Sequence, residues 1–483
     1  MLLHQAKKQG PRGYVSLLFE YHTCNNIRFV LSLRQIVFKE ELYMKLRIIT
    51  FIIILCVLFL ALTLMLGSLF SRAGDTVLTA KESKSWTSLF DRRGESGWLG
   101  ADGIYSVALD GNDSFGSASR GTDTFFIFSD TLMGNSDRQG DVTELAPMPA
   151  QTSALLSGAD PSDRNVSFVY GNGGNGNLGE HLFGAHFWML DCYVQNDMLY
   201  ILGFPEESWK PERIDMVSIP IRDGAPVYAE YAVTENITQL WHNVSDEYLY
   251  AFGIGITANT VASAATDPDG YIYVYGYRDA INEMSRKDLI VGRIHESDFP
   301  DFSKFKYWNG ENWCDNIEDS AILLNDVSCE MSVSYVPCGS FVGKYIAVYT
   351  QYTRSGNIMY AIGDTPYGPF DTPVKCYDAK EHGETGASGV GSRVVYNAKA
   401  HPHLSSGDKL LISYNVNVEG EGAEQWTTDY HLRFIELDLD PDHLTVVGMR
   451  VSVRLLTILT IIATLSVMCT FLYLLRKTWS MNR

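Results

Sequence analysis

Several features are scarce in this chain, and each scarcity removes a class of function. There is no excess of basic residues: 57 Asp and Glu stand against 38 Lys and Arg, a formal charge of −19, and no basic stripe is visible. Nucleic acid is therefore not an expected partner. An exposed domain that handles neutral or cationic material fits better. No C-x-x-C pair occurs among the 8 cysteines, which removes the common zinc and dithiol patterns. The glycine-rich stretch GNGGNGN at 171–177 lacks a Lys-Ser/Thr ending and a following helix pattern. It reads as a surface loop, not as a phosphate cradle. A sustained helical period is missing over nearly all of 98–440, and exact internal repeats are missing too.

Long apolar runs are confined to two places. Ile48–Phe70 is 23 residues without a charge and Leu455–Leu475 is 21, each long enough to cross the ~30 Å hydrocarbon layer as a helix. Lys45 and Arg47 precede the first run, and Arg476, Lys477 and Arg483 follow the second. Such flanks predict a cell-membrane location, both termini cytoplasmic, the domain between them outside, and the lipid bilayer as a partner. The expected division is a cytoplasmic leader at 1–47 (an upstream extension of the gene model, given Met44 and the basic residues after it), a transmembrane helix or signal anchor at 48–70, a polar stalk at 71–97, a globular domain at 98–440, a linker at 441–454, a second transmembrane helix at 455–475 and a tail at 476–483.

Five cysteines fall in the domain: Cys192, Cys314, Cys329, Cys338 and Cys376. An odd number cannot all pair, which leaves open one or two disulfides, nearest in sequence among Cys314, Cys329 and Cys338, or buried free thiols. Asn112, Asn165, Asn236 and Asn243 each head an N-x-S/T sequon.

The domain itself is rich in Tyr (27), Phe (23) and Gly (41), a mix that favours short strands and turns. Candidate strands are 103–109, 123–129, 198–204, 247–253, 271–277, 288–295, 332–336, 344–351, 357–362, 393–398, 409–415 and 431–438. Five loose echoes recur, each a turn and then a strand that ends near a polar residue: GTDTFFIFSD at 121, NDMLYILGF at 196, DGYIYVYGY at 269, GKYIAVYTQ at 343 and GDKLLISYN at 407. In YIYVYGY the tyrosines alternate onto one face. Five echoes predict an all-β, five-bladed β-propeller between the two membrane helices, with a two-sheet sandwich as the alternative.

Two strand edges carry an isolated carboxylate, Asp102 in WLGADGIYSVAL and Asp130 in FFIFSDTLMG. Asp before Gly or Thr is also an ordinary turn residue. In a propeller, however, inner strands converge on one pocket, and glycosidic cleavage requires two carboxyl groups flanking one bond. Crowded carboxylates also raise one pKa, as a general acid needs.

The run from GWLGADGIYSVAL and FFIFSDT through ASAATDPDGYIYVYGYRD, DLIVGRIHESDF, YWNGENW and TPYGPFD to AKAHPHLSSGDKLLISYN resembles domain-of-unknown-function family 4185. That family is a five-bladed propeller akin in shape to arabinan- and fructan-cleaving glycosidases. Some of its members are endo-D-arabinofuranosidases of glycoside hydrolase family 183. The resemblance places its G-A-D-G aspartate on Asp102 and its F-G-D-T aspartate on Asp130, with Ser129 where the family usually has glycine. Glu330 in SCEMSVSYVP falls about where related propellers supply a catalytic glutamate. Expected sugar-binding groups are Trp188, Asp191, Tyr277, Arg278, Asp279, His401, His403, Tyr414, Asn415 and Asn417. Each also has a plainer reading, as core packing, a turn pair or, for His401 and His403, a metal pair. The expected function is a membrane-anchored glycoside hydrolase cleaving a polysaccharide, such as a furanose-containing arabinan. The alternative is a non-catalytic surface propeller that binds glycan or protein. The reaction requires no cofactor, and a structural Ca2+ in the central channel is compatible with it.

Overall fold

The computed structural model describes residues 77–441 apart from 162–164, 185, 206–210, 245–246, 281–285 and 422–425, together with 443–446, 449–452 and isolated positions nearer both ends. The chain divides into two units, Thr76–Pro441 and a second made of Met1–Asp75 with Asp442–Arg483. In the second unit His443–Val446 pairs antiparallel with Met449–Ser452.

The larger unit is all-β, with five antiparallel sheets following one another along the chain. Their inner strands are Ile104–Ala108, Phe187–Gln195, Tyr248–Asn259, Met331–Tyr335 and Ser392–Ala400. Each of these packs against the next. The ring closes where Ser106 of the first meets His401, just after the fifth, at 2.6 Å. This is the radial, bladed arrangement that five repeated strand echoes imply. All five echoes are the second strand of their blade: Asp123–Phe128, Met198–Pro205, Tyr271–Ala280, Tyr345–Thr350 and Lys409–Glu419. These strands lie between neighbours on both faces. Hence Tyr273 and Tyr275 are fully buried, and so are Ile272 and Val274 on the opposite face.

Residues 77–97 are not a stalk. Ala80–Glu82 pairs with the outer strand of the fifth blade, Ala80 opposite Leu437 and Glu82 opposite Ile435. The first described strand thus completes the last sheet and removes its open edge. The short helix Lys84–Leu89 that follows buries Trp86 and Leu89, and Phe90 stacks on Phe434 with centroids 5.5 Å apart. A three-residue strand and a six-residue helix are too short to print a period on the sequence. An additional three-stranded sheet, Ser96–Ala101 with Thr131–Ser136 and Val142–Leu145, sits beside the first blade.

Two expectations require correction or a boundary. Among the described residues no helix is long and apolar enough to cross a membrane. The membrane location, with two spans and cytoplasmic ends, is therefore withdrawn; most of 1–76 and of 453–483 lies outside the described residues. Cys192, Cys314, Cys329, Cys338 and Cys376 are all free thiols.

Candidate active site

The second strand of every blade runs toward the same rim, and its last residues open onto one cavity of about 850 Å³. Asp130, Phe204, Asp279, Tyr352 and Asn417 line it, one from each blade's strand end. Asp102 and Glu330, each just before an inner strand, line it as well. The cavity volume is in the range of small-ligand sites.

Asp102 and Asp130 are brought together by main-chain bonds. The Asp102 N–H donates to the Asp130 carbonyl at 3.1 Å, and the Ser129 N–H donates to the Asp102 carbonyl at 3.0 Å. The long hairpin between them leaves that pairing intact. Gly103 sits at φ 49°, and a Cβ there would lie 2.8 Å from Ser129 Oγ and 3.4 Å from Glu330 Oε1. Only glycine lets the three acid-bearing segments approach this closely. The Ser129 hydroxyl accepts from the Met189 N–H at 3.3 Å, tying the first blade to the second.

Each acid has a defined setting. Tyr396 donates its hydroxyl to Asp102 Oδ2 at 3.1 Å. Trp188 Nε1–H donates to Asp130 Oδ1 at 3.2 Å, and the Tyr430 hydroxyl donates to the Asp130 carbonyl at 2.8 Å. Glu330 accepts from Asn397 Nδ2 at 2.8 Å and forms an ion pair with Lys399. Lys399 is 1% exposed, with its Nζ 3.9 Å from the centre of the Tyr105 ring.

Burial raises the pKa of Asp102 well above the usual carboxylate range, and the negative charges of Asp130 and Glu330 push it further the same way. Burial also raises Glu330, with Lys399 pulling back toward ionisation. The Tyr396 and Tyr430 hydroxyls are pushed well up, chiefly by burial, and remain neutral donors. The cluster therefore favours the protonated form of Asp102 beside other carboxylates, the separation of roles that acid–base chemistry uses.

Residues 83–431 match the family model described as Domain of unknown function (DUF5005). The chain belongs to that family. The resemblance to family 4185 is thereby corrected. Its motifs, G-A-D-G and F-S-D-T, mark strand edges that meet in a ring, a geometry that more than one family of this shape can present. No curated protein matches the sequence. Among solved structures, a candidate hydrolase from Bacteroides ovatus ATCC 8483 has 15% identity over 76% of this chain and 96% of its own, with a TM-score of 0.54, and shares the fold. The catalytic domain of a Coprinopsis cinerea GH62 alpha-L-arabinofuranosidase (10% identity, 74% and 96% covered, TM-score 0.36) and a GH43_1 enzyme from Xanthomonas citri (13%, 77% and 96%, 0.36) are more distant.

Trp188, Tyr277, Asp279 and Asn417 line the same cavity as the three acids. The other expected sugar-binding residues lie elsewhere. Asp191 and His401 line a second cavity of about 280 Å³. Asp191 accepts from the Cys192 and Ile256 N–H groups at 2.8 and 2.6 Å, and burial pushes its carboxyl up to about 7. His401 is held between Ser106 and Ser413 and is kept neutral by burial. His403 is fully buried, 2.7 Å from Asp113. Arg278 turns away to pair with Asp288 at 2.7 Å. On Lys409–Glu419 alternation sends Tyr414 to the opposite face, where its hydroxyl donates to Glu381. Asn415 faces the ring interior but is fully buried, its Nδ2 on the Ala101 carbonyl at 3.4 Å.

Sequence reasoning missed Lys399, Asn397, Tyr396, Tyr430 and Lys287, the last lining the cavity and paired with Asp279 at 3.3 Å. A lysine in YNAKAHPH, near the end of a predicted strand, was the available signal, because a buried charge there needs a partner. Among the described residues no group of three or more His, Cys, Asp or Glu is placed to hold a metal ion.

Proposed function

We propose that this chain is a glycoside hydrolase acting on a neutral polysaccharide, with Asp102 as the general acid and Asp130 as the base or nucleophile. The observation that carries the reading is the convergence of three carboxylates on one cavity, with the Asp102 segment bonded to the Asp130 segment and Glu330 beside both, where burial and like charge raise the Asp102 pKa. In this scheme Asp102 protonates the leaving glycosidic oxygen, and Asp130, oriented by Trp188, activates water or attacks the anomeric carbon. Glu330, with its charge stabilised by Lys399, keeps Asp102 protonated between turnovers. Tyr277, Tyr396, Asn397 and Asn417 supply apolar faces and hydrogen-bonding groups for a sugar.

Incubating the full-length chain with arabinan, galactan and fructan tests this. Sugar release by the wild type is expected to fall about 10²–10⁴-fold in Asp102→Asn and Asp130→Asn, as for loss of an acid or base. If the wild type releases nothing, while it and both variants bind the same glycan equally, the cavity is a binding site and the hydrolytic reading is wrong.

A further inference from the structure

The carboxylates lie among buried or half-buried aromatics. Tyr277, Tyr430 and Phe204 are at most 9% exposed, and Trp188 is half-buried. Tyr352 is different. It lines the same cavity yet is 42% exposed, on the rim loop between Tyr345–Thr350 and Asn357–Gly363. Among the described residues its side chain has no hydrogen bond and no stacked aromatic neighbour.

The loop that carries this ring is held in one backbone conformation. Tyr352 and Thr353 are both in the left-handed region, at φ 58° and 66°. A β-branched threonine there is an outlier that the surroundings must impose. Those surroundings are visible. The Tyr352 N–H donates to the Asp326 carbonyl at 3.0 Å, and the Ser355 N–H donates to the Val395 carbonyl at 3.1 Å. Arg354 forms a bridge with Tyr396 and an ion pair with Glu419 at 2.6 Å. The loop is thus fastened to the fifth blade on one side and to the segment before the fourth on the other. An exposed aromatic carried at the mouth of the cavity by a fastened loop is placed to receive the C–H face of a sugar ring.

We infer that Tyr352 is a stacking platform for a sugar unit beyond the one held at the carboxylates, so that the ligand of this cavity is an oligosaccharide rather than a single sugar. This rests on reading the cavity as a glycan site. It makes Tyr352 a residue that sets preference for chain length, with no part in bond cleavage.

The test is calorimetric binding of arabino-, galacto- and fructo-oligosaccharides of two to six units to full-length Asp130→Asn. Affinity is expected to rise with length for one series. Adding Tyr352→Ala is expected to weaken the longer members about tenfold and leave the shortest unchanged. Tyr352→Phe and Tyr352→Trp are expected to keep the length dependence. A Tyr352→Ala loss that is equal at every length, or absent, overturns the platform. Retained length dependence in Asp130→Asn, lost on Tyr352→Ala, with no sugar release by the wild type, leaves the platform standing and removes hydrolysis. Binding of no series overturns both.

Discussion

Replacing Lys399 by methionine removes the one cation that, among the described residues, contacts the Glu330 carboxylate, while keeping most of the side chain's volume. Lys399 is 1% and Glu330 9% exposed, and the other carboxylate oxygen is held by Asn397 at 2.8 Å. Glu330 is then left with neutral hydrogen-bond donors, Asn397 and Tyr105, in a site whose burial already raises its pKa. Breaking a buried pair from one side costs about 3–5 kcal/mol. The pH dependence has a definite sign. With Lys399 gone, the largest influence opposing burial is lost, so the folded-state pKa of Glu330 rises further above its unfolded value of about 4.3. Between those two values the folded state binds more protons than the unfolded state, so the variant loses stability as pH rises, by up to about 1.4 kcal/mol per pH unit. Its deficit against the wild type is smallest below about pH 4.3 and grows toward neutrality. Glu330→Gln combined with Lys399→Met removes both charges and is expected to recover to within about 1–2 kcal/mol of the wild type. Urea midpoints by tryptophan fluorescence between pH 4.5 and 8 measure all three. A Lys399→Met loss under about 1 kcal/mol that is flat with pH, or a double variant no better than the single, would refute the buried pair and with it the electrostatic role given to Glu330.

Three further outcomes follow from the same geometry. Activity is expected to fall as pH rises through the raised pKa of Asp102, and Glu330→Gln, which removes a like charge, is expected to move that limb to lower pH in kcat/KM profiles; an unmoved limb would remove Glu330 from the protonation of Asp102. Gly103→Ala forces a Cβ to 2.8 Å from Ser129 Oγ at positive φ, and is expected to cost about 1–3 kcal/mol in urea melts and to depress kcat further by displacing Asp102. Trp188→Phe keeps the ring and loses the bond to Asp130, so kcat is expected to drop about tenfold with KM little changed, roughly the worth of one hydrogen bond to a charged group; an unchanged kcat would remove Trp188 from the orientation of Asp130.

The ring was legible because each blade's second strand is its most continuously apolar one and follows a tight turn, so it survives as an echo even when the blades share no exact repeat. Of the five inner strands one was not recognised: Phe187–Gln195 carries Asp191 in its middle, which breaks the apolar pattern. The closing strand was invisible for a different reason. Ala80–Glu82 is three residues long and two of them face solvent, so what identifies it is its partner strand near Leu437, at the other end of the domain, and nothing local. The same logic separates the aromatic hits. Tyr277 and Trp188 end or begin strands at the cavity rim, whereas Tyr414 lies three positions short of Asn417, an odd count that alternation assigns to the other face.

That alternation also explains why the two aspartates could be found and the lysine could not. The residue at the end of each echo must lie at the rim, because five strands in one ring run in one direction and stop at one level. A carboxylate there is accessible whatever the blade's internal packing, and Asp130 and Asp279 share that position in different blades. Position along the strand therefore predicts exposure to the cavity, and residue type then predicts chemistry. Lys399 breaks the rule from within. It lies beyond the register shift between Tyr396 and Lys399, where two residues on one strand have no partner on the other and the inward face changes parity. A count from the strand end fails once it crosses that bulge. The parity change is what turns Lys399 onto Glu330, so the part of the site that was hardest to read is the part the bulge was needed to build.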